Sequence, residues 1–388
     1  MKKGAIRAII LYKMTHFSTE PARAILDALE SPDKKLKIIH VAGTNGKGST
    51  AEFFTSILIA AGRKVGTFTS PQVYSYFDQF RIDGREIPPE TFKRYRAQAA
   101  EVARGASAFE IDTAAAIHAF FREGCEYAVI ECGMGGLNDA TNAISRKELA
   151  VITSISIEHT AYLGKTLKDI CAHKAGIIKD CPAIINAHQC GEVREYFKGH
   201  IFADKIGEIY NGGFVYDGKR FALSAADCLQ PYNAATAIEG ARLLGLDEDA
   251  IFRGIKECFP RGRMERFNAA GRTYILDGAH NPAAFEPLER YLKSTHKNRT
   301  VIFGCLGDKD IDGNLSHLTA DEIIAVACPS PRTRSVEEVA RCAGKYFKRV
   351  KKAESVAEAL TEADADEVVV CGSFTLLGEA LEWIEKRQ

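Results

Sequence analysis

The chain has 388 residues, 46% hydrophobic and 26% charged, with 51 Lys+Arg against 51 Asp+Glu. That length gives two domains as the natural expectation and a core able to bury roughly three quarters of the unfolded surface. Zero formal net charge gives no ground for a nucleic-acid or membrane surface, and no run approaches the ~20 apolar residues of a membrane span.

The 11 cysteines run from Cys125 to Cys371 without a C-x-x-C pair. Reduced thiols are therefore expected, rather than a zinc site or a disulfide framework. At the N-terminus the apolar run between Arg7 and Lys13 is too short for a signal-peptide core. A cytoplasmic protein acting as a monomer is expected.

Ala5 to Glu30 reads as helical, broken near Ser18-Thr19-Glu20-Pro21, where Ser18 or Thr19 can cap a helix starting near Pro21. The segment KIIHVAGTNGKGST, residues 37–50, carries the strongest signal. Ile38, Ile39 and Val41 make the apolar run of a buried parallel strand. Gly43, Gly46 and Gly48 follow, then Ser49 to Ala61 repeats apolar residues at helical spacing. Strand, glycine turn and helix N-terminus together present backbone N–H groups that favour phosphate. Lys47 supplies a point charge for β/γ-phosphates and Ser49 a hydroxyl for Mg²⁺. The spacing departs from the general P-loop pattern: only Thr44 and Asn45 separate Gly43 from Gly46-Lys47, and Gly48 intervenes before Ser49.

Lys64 to Phe68 reads as a second strand, followed by an aromatic-rich loop with a turn at Asp83-Gly84. Helices are expected over Pro88–Arg104 and Phe109–Phe121. Tyr127 to Cys132 reads as a buried strand carrying Glu131, a carboxylate that is costly there unless paired or metal-bound. Glu131 stands at the carboxyl end of that strand, where ligands bind in open α/β sheets. Leu149–Ile155 is the next strand. Ser156-Ile157-Glu158-His159-Thr160 follows it, then a helix from Thr166 through Lys174 and a strand over Pro182–Asn186. Short β pieces with glycine turns fill residues 202–225, and helix returns over Gln230–Leu244. Pro260 and Gly262 suit a boundary between domains 1–265 and 266–388. Beyond it, strands at Thr273–Asp277, Thr300–Gly304, Glu322–Ala327 and Glu367–Cys371 alternate with helices. That alternation predicts a parallel Rossmann-like sheet, and no G-x-G-x-x-G opens it. The expected fold is α/β: a P-loop parallel-sheet ATPase domain followed by a smaller Rossmann-like α/β domain.

These segments resemble the folylpolyglutamate synthase/dihydrofolate synthase family of the Mur ligase superfamily. The resemblance is carried by AGTNGKGST from Ala42, Ser70-Pro71 with Arg81 and Gly84, and Phe109-Glu110 with Thr113. It continues through Glu131 with Gly133, Gly135, Gly136 and Asp139-Ala140-Thr141-Asn142, then His159-Thr160 with Lys174-Ala175-Gly176-Ile177. Asn233-Ala234-Ala235, Gly262-Arg263 with Glu265, Asp277 with His280-Asn281-Pro282, Asp308-Lys309-Asp310 and Gly372-Ser373 complete it. Gln72, Leu137, Glu158 and Leu229 stand where the family usually has His, Arg, Asp and His, and Arg261 is an insertion.

The resemblance implies ATP held by Gly43, Thr44, Asn45, Gly46, Lys47, Gly48, Ser49 and Thr50, with Asn233, Arg263, Asp277 and His280. It implies two Mg²⁺ ions on Ser49, Glu131, His159 and a carbamylated Lys174. Neutral imidazole is a less usual Mg²⁺ ligand than oxygen, so His159 stands on the resemblance. Lys47, Lys174, His159, Asp277 and His280 are the candidate catalytic residues, in a cleft between the two domains. The implied reaction is glutamate ligation. A pteroate or folate carboxylate attacks the γ-phosphate of ATP, and the L-glutamate amine then displaces phosphate from the acyl phosphate. Leu137 and Gln72 keep open a Mur-type ligase acting on a different carboxylate. A P-loop kinase would call for the general P-loop spacing, and a non-catalytic regulator for a damaged metal set.

Overall fold

The computed structural model describes residues 18–224, 228–295 and 297–388. The expected helical stretch before residue 18 and Ala225 at the end of the β excursion lie outside them. The chain forms two compact units. The first takes in residues 18–70, Gln79–Leu223 and Pro231–Cys258, and the second Pro71–Asp78, Ser224, 228–230 and Phe259–Gln388.

The first unit is built on an eight-stranded sheet. Its strands are β1 (Lys37–Ala42), β2 (Val65–Phe68), β3 (Phe80–Ile82), β4 (Arg85–Glu86), β5 (Tyr127–Glu131), β6 (Leu149–Ile152), β7 (Ala183–Ile185) and β8 (Ile201–Phe202). The order is β4-β3-β2-β5-β1-β6-β7-β8, parallel except at β3 and β4. β1 and β5 lie in the middle, buried on both faces, which is why each reads as a continuous apolar run. Helices Lys47–Ala60, Gln230–Leu243 and Glu248–Glu257 cover one face, through Phe53, Phe54, Ile57, Ala234, Ile238 and Ile251. Leu163, Ile170, Cys171 and Val193 cover the other. The loop expected after β2 is in part a hairpin, β3–β4, turned at Asp83 (φ 50°) and Gly84 (φ 76°). Strands β9 (Ile206–Tyr210), β10 (Gly213–Tyr216) and β11 (Lys219–Ala222) form the expected β excursion, a separate antiparallel sheet.

The second unit holds a six-stranded sheet: β12 (Glu265–Ala269), β13 (Arg272–Leu276), β14 (Arg299–Phe303), β15 (Glu322–Ala325), β16 (Val350–Lys352) and β17 (Glu367–Cys371). Its order is β12-β13-β17-β14-β15-β16, with only β12 antiparallel. The chain divides at Cys258/Phe259, ahead of the 265/266 boundary expected, because β12 pairs along its whole length with β13. Pro71–Asp78, expected within the first domain, packs with this unit: the Tyr74 hydroxyl donates to the Glu265 carboxylate. Asp78 fastens the segment by accepting from the backbone N–H groups of Val73, Tyr74 and Ser75. No disulfide joins any of the 11 cysteines, all of which lie among the described residues. No helix among the described residues is long and apolar enough to cross a membrane.

Candidate active site

The phosphate-loop geometry rests on close backbone approaches. Gly46 has φ 85°, the left-handed region that suits glycine, and a Cβ there would lie 2.4 Å from Asn233 Oδ1. A Cβ on Gly43 would lie 1.8 Å from Thr153 Oγ1. Gly46 is the N-cap of helix Lys47–Ala60, so the helix begins two residues ahead of the expected Ser49. The N–H groups of Thr44 and Asn45 donate to the Ser154 carbonyl at 2.8 and 3.2 Å, and Ser156 N–H donates to Thr44 Oγ1 at 3.1 Å. Ser49 and Thr50 are buried in the first helical turn, and among the described residues the Thr50 hydroxyl oxygen has no hydrogen-bond partner.

Glu131 ends β5 at 4% exposure, where its Oε2 accepts from Ser70 N–H at 3.2 Å. Its Oε1 lies 3.9 Å from Lys47 Nζ, and Lys47 Nζ donates to the Thr44 carbonyl at 3.1 Å. Lys174 is also buried, and its Nζ donates to the Gly43 carbonyl at 2.6 Å. Burial, then the positive Lys47, pull its ammonium down to about 7, with Glu158 opposing them. Lys47, Glu131, Lys174 and Asn233 thus gather on one loop. His159 takes φ 51°, a strained conformation for a non-glycine residue, with Nε2 3.6 Å from Glu158 Oε1. Its segment is tied to the loop through the Ser156–Thr44 bonds.

Among the described residues no group of three or more His, Cys, Asp and Glu could hold a metal ion. The expected set contains only two residues of those types, Glu131 and His159. Mg²⁺ keeps several waters and takes one or two carboxylates plus phosphate oxygens. A buried carboxylate and a buried hydroxyl beside a phosphate loop fit that chemistry.

In the second unit, Asp277 follows β13 and is buried. Its Oδ1 accepts from Ala279 N–H at 2.7 Å and its Oδ2 from Met264 N–H at 2.9 Å. His280 Nδ1 lies 2.8 Å from the Gly278 carbonyl, a contact that puts the proton on Nδ1. The Arg263 guanidinium lies 4.7 Å over the Phe374 ring, and the His280 ring centre lies 6.0 Å from that of Phe374. Arg263, Asp277 and His280 therefore share one corner of this unit.

Comparison with known proteins accounts for both units. Residues 41–203 match the Mur ligase middle domain and residues 262–374 the Mur ligase glutamate ligase domain. The chain is 34% identical, over 90% of its length and 87% of the relative's, to the dihydrofolate synthase/folylpolyglutamate synthase of Escherichia coli. The chain belongs to the folylpolyglutamate synthase/dihydrofolate synthase family. Two solved structures of this family are close throughout. The E. coli FolC complex with DHPP and ADP has a TM-score of 0.83 and 30% identity, covering 96% of this chain and 94% of that one. The Yersinia pestis bifunctional enzyme with AMPPNP and Mn ion has a TM-score of 0.81 and 27% identity, covering 95% and 94%.

A cavity of about 240 Å³ opens beside the segment that follows Glu131, lined by Ser107, Phe109, Glu110, Met134, Asp139 and Ala140 among others. Phe109 packs on Gly133, where a Cβ would lie 2.6 Å from its ring. Glu110, a residue of the family motif, also closes the capping box of helix Ala108–Arg122 with Ser107. The sequence motifs assign no role to Thr153, Ser154, Asn186, Gln189 or the buried Lys147. Their shared signal is position: the first four stand just past the carboxyl ends of β6 and β7, the edge where open α/β sheets bind ligands.

Proposed function

We propose that this family member ligates L-glutamate to a pteroate or folate carboxylate at the expense of ATP, through an acyl phosphate. The observation that carries the reading is the gathering of Lys47, Glu131 and Lys174 on the loop Gly43–Thr50 at the carboxyl edge of the sheet. In phosphoryl transfer the protein mainly positions groups and stabilises charge. Lys47 and the N–H groups of the helix N-terminus would neutralise charge as the acceptor carboxylate attacks the γ-phosphate. The glutamate amine then attacks the acyl carbon, forming the amide and releasing phosphate. Ser49 and Glu131 would hold a divalent ion, with His159 and a carbamylated Lys174 beside a second. When bound, the ions supply charge neutralisation at the phosphate oxygens. Burial of Lys174 favours the neutral amine, the form that carbon dioxide can carbamylate.

Asn233 would contact the nucleotide from its seat against Gly46. Arg263, Asp277 and His280 would serve the same reaction from the second unit, which would act as the glutamate-ligase domain. The cavity beside Phe109 and Asp139 suits the flat, hydrogen-bonding ring of the acceptor. We further propose a cytoplasmic monomer. Leu137, 47% exposed, favours a second reading on acceptor choice, a Mur-type ligase for another carboxylate, because it puts an apolar side chain where the family usually has Arg.

The test incubates the protein with Mg-ATP and L-glutamate, trying dihydropteroate and tetrahydrofolate separately, and follows phosphate release and product mass. Gain of one glutamyl unit on dihydropteroate alone is dihydrofolate synthase activity, and gain on both is bifunctional. Failure on both, with ATP still bound, moves the acceptor to another carboxylate.

A further inference from the structure

Asn186 and Gln189 stand in the turn after β7 and take no part in the chemistry above. Asn186 is fully buried. Its Nδ2 donates to the Tyr232 carbonyl at 3.1 Å and to Asn233 Oδ1 at 3.4 Å. Its Oδ1 accepts from His188 N–H at 2.8 Å, and its own N–H donates to the Ile152 carbonyl at 2.8 Å. Gln189 Nε2 donates to the Thr153 carbonyl at 2.9 Å, and its Oε1 accepts from Ile155 N–H at 2.9 Å.

Between those two Gln189 contacts lies Ser154. Its carbonyl accepts from Thr44 and Asn45, and its Oγ donates to the Asn45 carbonyl at 3.2 Å. Thr153 fills the space that a Cβ on Gly43 would need. One turn therefore grips two supports of the phosphate loop: Asn233, which bears on Gly46, and residues 153–155, from which Thr44 and Asn45 hang. Both amides engage partners through donor and acceptor alike, the condition under which a buried amide fixes an orientation instead of costing stability.

We propose that Asn186 and Gln189 are positioning residues of the nucleotide site: Asn186 sets the Asn233 side chain, and Gln189 sets the strand end that carries the phosphate loop. The proposal rests on reading Gly43–Thr50 and Asn233 as the nucleotide site. A merely structural role would lower thermal stability and leave the nucleotide affinity of the folded protein unchanged. The experiment titrates wild type, Asn186→Ala, Asn186→Asp and Gln189→Met with Mg-ATP by calorimetry, with Tm and the KM for L-glutamate measured alongside.

The expected result is a Kd for Mg-ATP raised about tenfold in Asn186→Ala and Gln189→Met, the size of one buried hydrogen bond lost. The KM for L-glutamate stays at its wild-type value. Asn186→Asp keeps the side-chain volume but cannot donate to Asn233 Oδ1, so it weakens Mg-ATP as Asn186→Ala does. Gln189→Met alone decides the matter if both Asn186 variants fail to fold. Wild-type Kd in variants whose Tm has fallen overturns the proposal and leaves the nucleotide reading intact. A wild type that does not bind Mg-ATP overturns both.

Discussion

The two units hold the side chains of their candidate residues in different ways. In the second unit the polar side chains of the turn after β13 bond to near backbone groups, while Gly372 N–H and Asn314 Nδ2 donate to its Ala279 and His280 carbonyls from farther along the chain. Asp277 accepts from Ala279, two residues on, and from Met264, thirteen back, while Asn281 caps its own helix through Ala284 N–H. In the first unit the phosphate loop is held from a distance. Lys174 reaches Gly43 across 131 residues, Thr44 and Asn45 hang from Ser154, and Asn233 bears on Gly46. Side chains bonded to near backbone groups keep their orientation through local contacts. A loop held across strands transmits any shift in β6, β7 or the helix Gln230–Leu243 to the site it carries.

Gly46→Ala puts the largest strain on that difference. It adds a Cβ at a left-handed φ and against Asn233, and displacement of about 1 Å at a reacting site costs about a hundredfold in rate. A loss of that order in kcat/KM for Mg-ATP is expected in phosphate-release assays. An unchanged value would mean that the loop does not depend on its distant supports.

Asp277→Asn tests the local bonds of the turn after β13. An amide has one acceptor oxygen for two backbone donors, so one buried N–H is left unmet, at about 1–3 kcal/mol. A lower denaturation midpoint in urea is expected. Full stability with lost activity would show that the turn is not what Asp277 holds.

How far the sequence discloses each region follows the same division. The string from Asp277 to Pro282 is contiguous, and the backbone partners of its polar side chains lie within thirteen residues. The central strands are legible too, since parallel strands buried on both faces read as apolar runs. β12 and β16 are not: they are edge strands, and Glu265, Arg266, Lys351 and Lys352 give them a charged look. The membership of Pro71–Asp78 in the second unit is invisible because Tyr74 finds Glu265 across 191 residues. Asn186 and Gln189 lie outside every motif, and only their place at the strand ends marks them. Glu110 shows the converse. It matches a family motif, yet its hydrogen bonds close a helix cap.

A smaller effect concerns the buried polar cluster around Lys147 in the first unit. Lys147 is buried, its Nζ donating to Asn142 Oδ1 at 2.6 Å and to the Ile177 carbonyl at 2.7 Å. Burial pulls its ammonium down to about 7, against about 10.4 in the unfolded chain. Between those values the unfolded chain holds more protons, so stability rises with pH across that window and the contribution is lost toward neutrality. Lys174 shifts in the same direction, so Lys147→Met flattens the rise without abolishing it. Urea midpoints taken from pH 7 upward measure this, and an identical slope in the variant would contradict it. Leu137→Arg has the smallest expected effect on stability, within about 0.5 kcal/mol, because the side chain is exposed. A KM change confined to the acceptor would assign acceptor choice to this position.

The most direct test of the proposed chemistry follows one oxygen atom. With ¹⁸O in the acceptor carboxylate, ligation through an acyl phosphate carries one labelled oxygen into the released inorganic phosphate. Mass spectrometry of that phosphate is expected to show one ¹⁸O per glutamate ligated. Unlabelled phosphate alongside normal ligation would contradict the acyl phosphate and the roles given to Lys47, Glu131 and Lys174 in forming it.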